Sequence, residues 1–147
     1  MSGRRLVVGF LVFLALFVAA LSWFQLFAFY QRQNDVAALD IAGAAVPVAG
    51  YQGIDSTASP LKLRGCLRLD PAAVAGLTPA PEATPLTPPF WFRCFDTGQL
   101  TRDLAAGAAR AYAIGRDTPP SFALMLAVYP DGRGYLWRQL EDVADGQ

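Results

Sequence analysis

One uninterrupted apolar run constrains this chain before any other feature. After Met1-Ser2-Gly3-Arg4-Arg5, the stretch from Leu6 to Tyr30 carries no charge, and its only polar side chains before Tyr30 are Ser22 and Gln25. As a helix these residues rise about 37 Å, more than the roughly 30 Å hydrocarbon core of a bilayer, which predicts a transmembrane span with some tilt. Trp23 and Tyr30 fall toward its far end, where amphipathic rings favour the headgroup zone. A cleaved signal peptide is the rival reading, with Val18-Ala19-Ala20 as a small-residue cleavage site. Against it, the apolar character continues from Leu21 to Tyr30, and cleavage would leave a sticky mature terminus. Retention as an anchor is the expectation.

Arg4, Arg5 and the terminal amine precede the run, whereas only Arg32, offset by Asp35, follows closely. The positive-inside bias then expects a cytoplasmic N-terminus and a folded domain on the other side, which in a bacterium is the periplasmic face of the inner membrane. On the helix, Phe10, Phe13, Phe17, Ala20, Phe24 and Phe27 form an aromatic stripe. Ala15, Ala19 and Ser22 lie roughly opposite and form a small-residue face that would admit a partner helix. Ordinary lipid-facing composition explains the same stripe.

The chain divides into a stub and anchor at 1–30, a connector at 31–39, a domain at 40–140 and a flexible acidic tail at 141–147. The 117 residues from Gln31 onward suffice for one compact domain. With Arg4 and Arg5 set aside, ten basic against twelve acidic side chains leave the rest at −2, not the basic footprint of a nucleic-acid binder. No histidine is present. That removes the usual catalytic triad, the imidazole metal ligand and the neutral-pH switch. No nucleotide-binding glycine motif or nucleophile elbow occurs, so neither a cofactor nor an enzymatic activity is expected.

Within the domain, Asp40 to Val48 reads as a weak edge strand and Gly50 to Ser59 as a loop. Pro60 to Leu69 alternates, with Leu61, Leu63, Leu67 and Leu69 on one face and Lys62, Arg64, Cys66 and Arg68 on the other. Asp70-Pro71 starts a short helix over Ala72 to Leu77, and the proline-rich stretch Thr78 to Pro89 is extended. Asp96 caps a second helix over Gly98 to Ala106, closed by Gly107. Strands follow at Ala108 to Gly115, Phe122 to Tyr129 and Gly134 to Leu140, the last two joined by the Pro130-Asp131-Gly132 turn. The order β–β–α–loop–α–β–β–β, with an antiparallel best pair, is α+β: one N-terminal transmembrane helix, then a mainly antiparallel sheet domain with two short helices.

Cys66 and Cys94 are the only residues suited to covalent chemistry. Outside the cytoplasm an even pair is expected to be bridged; the bond would close a 29-residue loop and stabilise the fold by about 3 to 4 kcal/mol. The alternative is a thiol-disulfide redox pair, because Arg64 and Arg68 flank Cys66 and cations lower a thiol's pKa. The spacing is unlike C-x-x-C, and a metal site would need more ligands than two thiols. Trp91 and Phe92, in the run Phe90 to Phe95, with Tyr135 and Trp137 on the last strand, are read as core or as a contact surface for a protein partner.

Three motifs carry a resemblance: Ile54-Asp-x-x-x-Ser-Pro-Leu-x-x-Arg-x-Cys66, Trp91-Phe-x-Cys-Phe-Asp96 and Val128-Tyr-Pro-Asp-Gly-Arg-Gly-Tyr-x-Trp137. With the basic start and single span, they resemble an uncharacterised alphaproteobacterial family of short single-span proteins of unknown function, sometimes labelled histidine kinases. The resemblance implies the same topology and marks Cys66, Cys94 and the last hairpin as shared. It implies no activity. The kinase label finds no phosphorylatable histidine and no ATP-binding glycine motif here. The expected function is a non-catalytic, membrane-anchored interaction module, an accessory or assembly subunit that meets the bilayer through residues 6–30 and a membrane or periplasmic protein through its domain.

Overall fold

A computed structural model describes residues 2–117 and 121–141. The chain separates into two units, 1–30 and 31–147. The first is a helix, α1 (Gly3–Trp23), continued by a π-helical turn over Phe24–Ala28. Together they form one apolar segment, Gly3–Ala28, long enough to cross a membrane. Ala15, Ala19 and Ser22 all lie on α1, with exposed side chains.

The second unit is built on a six-stranded antiparallel sheet. Its strands are β1 (Gln31–Gln33), β4 (Ala49–Asp55), β5 (Arg64–Arg68), β6 (Arg110–Asp117), β7 (Phe122–Val128) and β8 (Arg133–Leu140), in the order β1-β4-β5-β8-β7-β6. A separate hairpin pairs β2 (Ala38–Ile41) with β3 (Ala44–Pro47). The one α-helix of this unit among the described residues, α2 (Thr97–Ala106), follows the expectation closely. Asp96 accepts a hydrogen bond from the Gln99 amide at 3.0 Å, and Gly107 closes the helix at φ +77°. This is the α+β architecture the sequence predicts.

Several elements differ from expectation. Asp40 to Val48 is a hairpin rather than one strand, because the chain reverses at Ala42 and Gly43, both at positive φ. Gly50 to Ser59 is not a loop through its first half. Ala49–Asp55 is β4, and its two glycines weaken the strand signal for different reasons: Gly50 holds φ at +61°, whereas Gly53, like Gly65 on the neighbouring β5, leaves room for the Tyr51 side chain. A Cβ on Gly53 would lie 2.5 Å from the Tyr51 ring, and one on Gly65 would lie 3.0 Å from the Tyr51 hydroxyl. The connector is shorter than 31–39, since Gln31–Gln33 pair with β4 and β2 begins at Ala38. Pro60–Lys62 form a 3-10 turn capped by Ser59, and the short helix after Asp70 is a 3-10 turn over Pro71–Val74. Of the tail at 141–147, all beyond Glu141 lies outside the described residues.

Both sheet faces are covered. On one, Tyr51, Leu67, Tyr112, Leu126 and Leu136 pack under the β2–β3 hairpin residue Ile41 and under Val74. On the other, the cross-strand rows Ile54–Arg64–Trp137–Met125 and Gln52–Cys66–Tyr135–Ala127 meet the chain that carries Phe92, Phe95 and Leu100, all buried. Burial of this apolar surface is the principal driving force for the fold.

Candidate functional site

The second face gathers Cys66, Cys94, Phe92, Tyr135 and Trp137. Strand alternation turns Arg64, Cys66 and Arg68 to the same side, and the segment 84–95 crosses over the first two. Cys66 and Cys94 are joined in a disulfide, with Cα atoms 6.3 Å apart. Arg64 is buried beside it. Its Nε donates to the Leu86 carbonyl at 2.7 Å, and its Nη1 donates to the carbonyls of Leu61 at 2.5 Å and Leu63 at 2.6 Å. The side that the alternation marks as polar is therefore half-buried at Lys62, interior at Arg64 and Cys66 and open at Arg68. A thiol-activating role for Arg64 gives way to a structural one, because its donors are turned to main-chain carbonyls.

The expected contact surface is corrected in the same way. Trp137 is 0% exposed and Phe92 is 8% exposed. The proline-rich chain and Phe95 cover Trp137, with ring centroids 6.3 Å apart and nearly perpendicular, a favoured aromatic arrangement. The indole Nε1 donates to Gln139 Oε1 at 3.1 Å, and the Gln139 amide in turn donates to the Glu82 carbonyl. Trp91 and Tyr135 keep partial exposure. The large exposed aromatic in this region is Phe90, at 70%. Sequence reasoning placed it in the aromatic run but did not single it out.

Two clefts flank the disulfide, and each holds one of the two remaining aromatics. Trp91 shares the first with Arg32, Arg93 and Cys94, and the Arg32 guanidinium stacks over the Trp91 ring at 5.0 Å. Tyr135 shares the second with Gln52, Arg68, Arg133 and both cysteines. Arg68 and Arg133 stand directly opposite each other on β5 and β8, a like-charge pair that costs stability in isolation. Asp131 offsets it through Arg133, at 2.8 Å. The hydrogen bond from the Arg133 amide first, and then the Arg133 guanidinium, hold the Asp131 carboxyl below the usual carboxylate range. No carboxylate lines either cleft. The clue in the sequence is the placement of Arg68, Arg93 and Arg133 beside Cys66, Cys94 and Tyr135.

Behind the second cleft, the Tyr129 hydroxyl donates to Asp103 on α2 at 2.5 Å, while Arg133 stacks on the Tyr129 ring at 4.2 Å. Burial and the Asp103 carboxylate push the Tyr129 hydroxyl's pKa well up. Among the described residues, no group of three or more His, Cys, Asp or Glu side chains is placed to hold a metal ion.

A family model described as a family of unknown function (DUF6446) matches residues 35–147. Comparison with curated proteins and with solved structures returns no match.

Proposed function

We propose a function from the premise that this chain belongs to DUF6446, a family of unknown function matched across nearly all of the folded domain. The protein is a membrane-anchored, non-catalytic module that binds another envelope protein and serves as an accessory or assembly subunit of a membrane complex. Gly3–Ala28 is the anchor, with the N-terminus in the cytoplasm and the disulfide-bonded domain in the periplasm. A disulfide supports that placement because such bonds persist in oxidising compartments.

One observation carries the reading: the open groove of Tyr135, Arg68 and Arg133 over the disulfide. Tyrosine and arginine are, with tryptophan, the residue types enriched at binding hot spots, and two guanidiniums facing each other call for an acidic partner segment. Ala15, Ala19 and Ser22 offer a second contact, to a partner helix within the bilayer.

Photo-crosslinking tests the groove. With benzoylphenylalanine in place of Tyr135, native membranes should yield one discrete protein adduct, and Arg68→Glu with Arg133→Glu should abolish it. A ladder of weak adducts unaffected by charge reversal rules the groove out.

A second reading, a thiol-disulfide redox protein, draws on the position of Cys94, which lines both clefts and is open to an attacking thiolate. The reduction potential separates the two. A structural bond resists reduction below about −300 mV, whereas a working redox pair lies well above that value.

A further inference from the structure

The first cleft differs from the second in its neighbours. Arg93 lines both this cleft and the adjoining one formed by Pro88, Pro89 and Phe90. Phe90, Trp91, Arg93 and Arg32 therefore form one continuous patch: an aromatic ring 70% exposed, a second ring stacked under the Arg32 guanidinium, and the exposed Arg93, which makes no ion pair among the described residues although Asp96 lines the adjoining cleft with it. Asp35, the acid nearest Arg32 in sequence, does not line the cleft. Arg32 follows the last residue of the apolar segment, Ala28, by four positions, so no more than about 14 Å of chain separates them.

We propose that this patch docks on the surface of the bilayer, with Phe90 and Trp91 at the headgroup level and Arg32 and Arg93 on the phosphates of anionic phospholipids. The chemistry fits. Aromatic rings concentrate at the membrane interface, and arginines close to a negatively charged leaflet gain affinity additively. The segment that presents the patch is braced by the Cys66–Cys94 bond and by Arg64, so little freedom is lost on docking. A protein partner suits the patch less well than a lipid surface, because the short chain to the apolar segment keeps Arg32 close to the bilayer interface.

The inference rests on Gly3–Ala28 being a retained span, and the test separates the two claims. The full chain is reconstituted in phosphatidylcholine vesicles with and without about one-third phosphatidylglycerol, a negative surface of the kind that attracts basic segments. Amide hydrogen exchange is then followed. Incorporation that resists carbonate establishes the span; chain washed free by carbonate overturns span and docking together. With the chain incorporated, exchange over residues 31–34 and 90–94 should slow by about tenfold in the anionic vesicles. High salt should remove that protection, as should Arg32→Glu with Arg93→Glu. The salt arm keeps the test decisive if the double variant misfolds. Equal exchange in the two lipids overturns the proposal. So does protection produced by free inorganic phosphate over pure phosphatidylcholine, or protection that appears only when a membrane-protein extract is added.

Discussion

Arg64 Nε donates to the carbonyl of Leu86 at 2.7 Å, tying the middle of the sheet to the proline-rich chain that crosses it. That chain contains Pro79, Pro81, Pro85, Pro88 and Pro89, which have no amide hydrogen to give a ladder. A buried arginine fork instead supplies donors to its carbonyls and to those of Leu61 and Leu63. Arg64→Met keeps the stem but leaves buried carbonyls unpaired, and should lower the unfolding free energy by about 2 to 4 kcal/mol in urea melts. Arg64→Lys should recover only a part, because an ammonium cannot reproduce the planar fork. Full recovery by lysine would show that charge alone is needed.

The disulfide fastens the same chain eight residues further on, so the two ties should not be independent. Cys66→Ala with Cys94→Ala should cost about 3 to 4 kcal/mol by releasing a 29-residue loop in the unfolded state. Adding Arg64→Met should cost less than the sum, since the segment is already loosened. A double-mutant cycle from non-reducing melts measures the coupling, and strict additivity would mean that the two ties hold separate structures.

The sequence was most informative where local chemistry and tertiary context agree. Asp96 and Gly107 delimit α2, and Pro130-Asp131-Gly132 joins β7 to β8, because caps and turns are short-range devices. It was least informative where a partner distant in the chain decides the outcome. Gly53 reads as a loop residue, but it leaves room for the Tyr51 ring. Arg64 reads as solvated by alternation, and its burial is satisfied by the carbonyls of Leu61 and Leu63 beside it together with that of Leu86, 22 positions away, which no local pattern announces. Trp137 and Tyr135 look alike on the last strand. They face the same side two residues apart, and Trp137 is sealed because the covering chain lies over its end of the strand. The pairing of Cys66 with Cys94 was legible because only two cysteines exist.

Ala42 is a site where the natural residue opposes its own backbone. It turns the β2–β3 hairpin at φ +53°, next to Gly43 at +86°, a two-residue turn whose first position favours asparagine. An alanine in the left-handed region costs roughly 1 to 2 kcal/mol. Ala42→Asn should therefore stabilise the domain by about 1 kcal/mol, raising the midpoint of thermal unfolding with no change in the disulfide. Ala42→Val should do the reverse. A neutral asparagine variant would indicate that the hairpin does not unfold together with the sheet.

Tyr129 and Asp103 set the alkaline limit. Burial first, then the hydrogen bond to Asp103 and its negative charge, raise the Tyr129 pKa above the ordinary value near 10. Tyr51 is raised as well, by burial and by Asp55. The sign follows from proton linkage. The unfolded chain loses these protons near pH 10 while the folded chain keeps them, so the stabilisation is complete below about pH 10 and is lost as pH rises toward the folded pKa. Urea melts should give a level unfolding free energy up to about pH 10 and a steep fall beyond. Tyr129→Phe should lower stability at neutral pH by about 1.5 to 3 kcal/mol, the usual worth of a hydrogen bond to a charged group. It should also make the alkaline fall shallower, because one of the protons that drives it is gone. Asp103→Asn keeps an acceptor but removes the charge, so the Tyr129 absorbance change should move to lower pH. Identical alkaline profiles for the wild-type chain and Tyr129→Phe would mean that other groups govern unfolding at high pH.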